Sequence, residues 1–121
     1  MRYTLLVLTP PDLGSSARHA AGFCEALLSA GHEVDCVFFF DAGVLTLRGD
    51  CEAQQDERDL RADWSTLQTR HDLQLFACVA SAARFGVSAD AGAGAPSFTI
   101  AGLGELVEAS ERSDRLLTFR G

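Results

Sequence analysis

No lysine occurs anywhere in the chain; all ten basic side chains are arginine. That excludes the lysine of a phosphate-binding loop, Schiff-base chemistry and the lysine of a receiver-type phosphorylation domain. Long apolar runs are missing too. None approaches the ~20 residues of a membrane-spanning helix. The amino terminus lacks the basic start, long apolar stretch and small-residue cleavage site of a signal peptide, so the expectation is a cytoplasmic protein with no membrane attachment. Positive charge is scarce. The formal net charge is −7 and no basic stripe interrupts it, which argues against direct nucleic-acid binding.

Cysteine is present four times, but its usual patterns are not. No pair has Cys-x-x-Cys spacing, which disfavours dithiol redox chemistry. No Cys/His cluster has zinc-finger spacing, and the loop after the first apolar run lacks G-x-G-x-x-G. Neither a metal nor a cofactor is expected. In the cytoplasm four scattered cysteines stay reduced.

What remains is a chain of 121 residues, 47% hydrophobic, enough for one domain with a real core over 1–121. Arg2–Thr9 is a β-rich run. Pro10, Pro11, Asp12 and Gly14 break it, and Ser15 or Ser16 is placed to cap a helix running to about Ala30. Ala17, Ala20, Ala21, Cys24, Leu27 and Leu28 form its apolar stripe, and Gly31 is the expected terminator. Glu33–Phe40 reads as a second strand with apolar residues on both faces, as a strand covered by helices requires. Asp41, Ala42 and Gly43 make a turn. Val44, Leu45 and Leu47 then read as a short helical turn or a partly exposed apolar loop, a candidate interface patch.

Arg48–Glu57 is the most polar segment. A helix over about Asp59–Arg70 carries Leu60, Trp64 and Leu67 on one side. Val87–Pro96, rich in Ala and Gly, reads as a loop. Ile100–Arg112 fits a helix with Ile100, Leu103 and Val107 as its stripe, and Asp114–Phe119 a last strand. Strands alternating with helices predict an α/β domain of three layers, a mainly parallel sheet of about five strands between helices.

The stretch with most chemical promise is Leu73–Gly86. Leu75, Phe76 and Ala77 make a short apolar strand; Ala80 to Ala83 favour or tolerate helix, and Gly86 ends it. Cys78 therefore stands at the carboxyl end of a strand and the amino end of a helix, the edge where chemistry collects in open α/β sheets. The helix dipole there contributes about 0.3–1 kcal/mol to a thiolate, a mild activation. Arg84, six residues on, points to another helix face. The competing reading is a buried structural cysteine. Cys24 and Cys36 fall on apolar stripes and read as core. Cys51 lies among Asp50, Glu52, Asp56 and Glu57, which disfavour its thiolate. His19, His32 and His71 have no sequence pattern of a triad.

In order along the chain, Arg2–Val7, Gly31-His32-Glu33, Val37-Phe38-Phe39, Gly43-Val44, Trp64, Cys78-Val79-Ala80 with Arg84 and Gly86-Val87, Gly102–Leu106, Asp114-Arg115 and Phe119 carry a resemblance. Over nearly the whole length the chain resembles the DsrE/TusD subunits of bacterial sulfur-relay complexes. The resemblance implies a sulfurtransferase whose cysteine, here Cys78, accepts sulfur as a persulfide from one carrier protein and passes it to another. It implies a heterohexamer with two related small subunits, while the apolar patch of Val44, Leu45 and Leu47 leaves a homo-oligomer open for the isolated chain. It leaves two destinations: 2-thiouridine of tRNA in the TusD branch, or oxidative sulfur metabolism in the DsrE branch. A non-catalytic subunit of the same assembly, with Cys78 merely buried, is the alternative; a flavodoxin-like ligand-binding domain is a third reading that no motif supports. The loop Ser88–Ser97 is shorter than in typical relatives. That loop and Arg48–Glu57 are expected to control access to Cys78.

Overall fold

The computed structural model describes residues 1–10, 16–47, 60–88 and 96–120. Five strands form one sheet: β1 (Arg2–Val7), β2 (Glu33–Phe39), β3 (Leu75–Cys78), β4 (Thr99–Ala101) and β5 (Arg115–Phe119). Their order is β4-β3-β2-β1-β5, and every pairing is parallel. Four α-helices connect or follow them: α1 (Ser16–Ser29), α2 (Leu60–His71), α3 (Val79–Phe85) and α4 (Leu103–Arg112). The chain steps outward from β1 to β4, then returns over the sheet to add β5 on the far side of β1. The outward and return crossings put helices on both faces.

Register decides which side chains share a face. Leu5, Val37, Leu75 and, one row up, Val7, Phe39 and Ala77 align across the central strands. They form the main core with Ala20, Ala21, Cys24 and Leu27 of α1, Trp64 and Leu67 of α2, and Ala82 of α3. Trp64 stands edge-on to Phe39 with ring centres 5.5 Å apart. The opposite face carries Phe38, Cys78 and Ala101, with Leu6, Phe40, Phe76 and Leu106 packed around them. Only α4 among the described helices covers that face. It lies over β1 and β2, held where the Thr4 hydroxyl donates to the Ala109 carbonyl at 3.2 Å. The Thr4 and Ser113 hydroxyl oxygens are 2.6 Å apart.

A bulge at Asp35 joins the two rows of β2 to β1: Tyr3 pairs with Val34 but Thr4 with Cys36. The extra residue bends the strand and re-aims its side chain. Asp35 meets α4, its two carboxylate oxygens accepting from Arg112 Nε at 3.3 Å and Nη2 at 3.0 Å.

Two sequence expectations are corrected here. Val44, Leu45 and Leu47 are not a surface patch. They lie in a 3-10 helix, Asp41–Leu47, and Val44 and Leu47 are fully buried in the main core while Leu45 is half-buried. Residues three apart eclipse one another in a 3-10 helix, so Val44 and Leu47 share one inward face. The segment is drawn in by Gly43, where an added Cβ would overlap the Val7 carbonyl oxygen; only glycine allows that approach.

The second correction concerns Ile100–Arg112. Ile100 belongs to β4, and the helix begins at Leu103. Leu106 and Ala109 face the sheet, whereas Leu103 and Val107 are at least half exposed. The expected stripe therefore points to solvent. Helix α1 ends at Gly31 as anticipated, with the His32 N–H closing onto the Leu27 carbonyl at 3.0 Å.

Candidate functional site

Strand β3 passes into helix α3 with no loop residue between them: Cys78 ends the strand and Val79 begins the helix. Cys78 keeps extended backbone angles, φ −60° and ψ 129°. It is therefore the hinge residue shared by both elements. Small residues follow it because α3 packs close: Ser81 and Ala82 are buried. The helix stops after seven residues at Gly86, which takes the left-handed conformation, φ 68°. Its neighbour Val87 donates to the Ala82 carbonyl at 2.8 Å.

The Cys78 side chain lies on the α4 face of the sheet, 2% exposed, in the cluster with Phe38 and Ala101. It pairs with Ala101 in β4, so α3 and α4, which begin at Val79 and Leu103, both start at the same carboxyl edge of the sheet. Both residues are at least half exposed. The thiol is thus one residue below an apolar surface. The apolar lining keeps water from the sulfur, and any second protein reaches it only through a local opening.

The topology does not place Cys78 at the switch point of the sheet. The reversal of strand order falls between β1 and β5, and crevices for small ligands form at such reversals. Cys78 is on β3, two strands away from β1.

The other thiols are set apart from it. Cys24 is fully buried under α1, and burial, with a smaller push from Glu25, raises its pKa to about 12. Burial does the same to Cys36, also to about 12, with Asp35 adding and Arg112 opposing. Both are held as neutral, unreactive thiols. Cys51 lies outside the described residues, as do the access segment expected over Arg48–Glu57 and residues 89–95 of the one expected over Ser88–Ser97.

The histidines do not assemble with Cys78. His32 sits at the opposite edge of the sheet, its Nδ1 3.2 Å from the terminal amino nitrogen and its ring edge-on to Tyr3. His19 and His71 are exposed on α1 and α2. Among the described residues, no group of three or more His, Cys, Asp or Glu side chains is arranged to hold a metal, and no helix is long and apolar enough to cross a membrane.

Two residues near the thiol were not singled out by sequence. Asp41, just after β2, donates its backbone N–H to the Ser81 hydroxyl at 2.9 Å. Its carboxylate lies 3.3 Å from Arg84 Nη2, one turn further along α3. The only sequence signal was Asp41 itself, since aspartate tolerates left-handed angles better than most residues.

The profile of the DsrE/DsrF-like family matches residues 1–119. Sulfurtransferase TusD of Salmonella paratyphi B is 38% identical over 128 residues, covering 98% of this chain and 100% of the relative. The TusD protein of Salmonella enteritidis matches to the same extent. Among solved structures, the ychN protein of E. coli superposes with a TM-score of 0.77 at 19% identity, over 98% of this chain and 100% of that one. A protein of unknown function from Methanobacterium thermoautotrophicum, MTH1491, gives 0.71 at 18%, with 97% of each chain covered. The two structural likenesses speak to the fold; the sequence matches speak to descent. The chain belongs to the DsrE/DsrF-like family, among the sulfurtransferases of the sulfur relay.

Proposed function

We propose that this sulfur-relay sulfurtransferase carries sulfane sulfur as a persulfide on Cys78 and hands it to a cysteine of another carrier protein. The observation that supports it is the position of Cys78, alone among the described cysteines at the carboxyl edge of the sheet, on the face that α4 covers and next to the exposed Val79 that begins α3. The chemistry is exchange at sulfur. The Cys78 sulfur attacks the outer sulfur of a donor persulfide. A new S–S bond forms as the donor's S–S bond breaks. The donor departs as a thiolate and takes up the proton that Cys78 gave away, so nothing is oxidised or reduced overall. A second exchange passes the outer sulfur to the acceptor thiol. A single cysteine without a resolving partner suits carriage better than redox cycling.

The sulfur's destination in this reading is 2-thiouridine of tRNA, which follows from the resemblance to TusD-type subunits. Loss of the protein should lower 2-thiouridine in bulk tRNA, measured by nucleoside mass spectrometry; unchanged levels would favour oxidative sulfur metabolism. The whole chain, 1–121, acts as one sulfur-carrier domain in the cytoplasm. It works with two related small subunits in a heterohexamer. The apolar surface left by α4 and β5, with Leu103, Val107 and Leu116 exposed, supports such an association. Sedimentation of a stable monomer, alone and after co-expression with related subunits, would contradict it.

The direct test of the carrier role is substitution. Cys78→Ser should keep the fold and lose sulfur acceptance, while Cys51→Ser should keep both. A structural role for Cys78 is the second reading, favoured by its 2% exposure. In that case Cys78→Ser accepts sulfur as well as the parent does.

A further inference from the structure

The turn after β2 is held from two directions. On one side it is fixed to β1: the Phe40 N–H donates to the Val7 carbonyl at 2.9 Å, and Gly43 abuts that same carbonyl too closely for any side chain. On the other side it grips α3 through Asp41. Asp41 holds a left-handed backbone, φ 53°, an uncommon conformation for a residue with a side chain. That conformation directs the Asp41 N–H to Ser81 and leaves the carboxylate beside Arg84.

Ser81 is the only polar side chain buried in α3, at 7% exposure. It lies three residues after Cys78, on the first turn of a helix joined to β3 without a loop. A rotation of that turn has no slack to absorb it, and it moves Cys78 directly. The core would accept alanine here, as it does at Ala82; the hydroxyl's visible partner is the Asp41 N–H.

We infer that Ser81 is a positioning residue for sulfur transfer: through its bond to the Asp41 backbone it fixes the first turn of α3 and with it the direction in which Cys78 presents its sulfur. Exchange at sulfur needs the attacking, central and leaving sulfurs roughly in line, so a small rotation lowers the rate without removing the thiol. The inference rests on Cys78 being the carrier.

The test uses the full chain and two reactions of the same thiol. Sulfur uptake from glutathione persulfide depends on alignment and on access. Alkylation by iodoacetamide depends on access and tolerates many approach directions. In Ser81→Ala, uptake per titrated Cys78 should fall about tenfold, while alkylation stays at the parent rate or rises. Ser81→Thr, which keeps the hydroxyl, should restore uptake to near the parent rate. Thermal melting of both variants establishes that they are folded. If Ser81→Ala takes up sulfur at the parent rate, the inference is overturned. It is also overturned if uptake and alkylation change together, since that reports loosening alone, or if Ser81→Thr remains as slow as Ser81→Ala. Should Ser81→Ala not fold, Arg84→Ala probes the exposed half of the same clamp: a selective loss of uptake supports the inference and parent behaviour in both reactions overturns it. Failure of the carrier reading looks different, because then Cys78→Ser accepts sulfur whatever stands at position 81.

Discussion

The two faces of the sheet are covered very differently. Leu5, Val7, Val37, Phe39, Leu75 and Ala77 lie beneath α1, α2 and α3, together with the buried 3-10 helix. Among the described helices only α4 reaches Phe38, Cys78 and Ala101, through Leu106, and Phe40, Phe76 and Leu106 there are only partly buried. A side chain sealed by several elements contributes to cooperative stability; one sealed by a single helix end opens at a lower free energy. The thickly covered face anchors the fold. The other holds Cys78, the thiol proposed to carry sulfur, and leaves Leu103, Val107 and Leu116 exposed. In the proposed reading stability and sulfur chemistry are thus divided between the faces, with the β3–α3 junction and the Asp41–Ser81 bond as the link between them.

That division is broken most severely by removing the largest side chain of the main core. Trp64→Ala should cost about 3–5 kcal/mol in urea unfolding, because Trp64 is fully sealed against Phe39. A loss below about 1 kcal/mol would mean that this face does not dominate stability.

Alkaline pH tests the sealed thiols. The Cys24 and Cys36 pKa values rise from the ordinary 9.0 to about 12, burial being the main cause. A thiol whose proton is held more tightly in the folded state contributes its full stability below pH 9, and that contribution is lost as pH rises from about 9 to about 12. The melting temperature of the parent should therefore fall more steeply through this window than that of the Cys24→Ala/Cys36→Ala variant. Parallel curves would show that these thiols do not limit alkaline stability.

A smaller change sharpens the contrast on the α4 side. Leu106→Ala removes a half-buried cover from the cluster that holds Cys78. It should cost only about 1 kcal/mol, yet raise the alkylation rate of Cys78 about fivefold by easing local opening. A large loss of stability with unchanged alkylation would contradict the idea of a thin cover. The smallest effect is expected at the far end of the same helix. Arg112→Ala breaks the paired bonds to Asp35. It should lower the melting temperature only slightly in low salt and less as salt is added, without altering sulfur uptake.

Much of the fold was legible because the residues repeat with a clear period. The α1 stripe, from Ala20 through Cys24 to Leu27, is buried as its spacing requires. Strands β1 and β2 alternate well enough to define both faces. The Cys78 junction was legible from an apolar run followed directly by alanines. Strand β4 was not. Its three residues are too few to show a period of two, and Ile100 falls by chance in helical spacing with Leu103 and Val107. The β-branched pair Thr99–Ile100 was the available signal. The burial of Val44 and Leu47 was missed because a 3-10 helix has a period of three, which neither the strand nor the α-helix template tests. The Asp41–Ser81 bond links residues forty apart in sequence and depends on one left-handed backbone, so nothing local announced it.

The proposed function stands or falls with Cys78 as the sulfur carrier. Its most direct test is peptide mass spectrometry of the intact wild-type chain after loading with a persulfide donor under native conditions, with all four cysteines mapped. A single added sulfur is expected on Cys78, with Cys24, Cys36 and Cys51 unmodified. A sulfur adduct on Cys51 or on either core cysteine, with Cys78 unmodified, would contradict it.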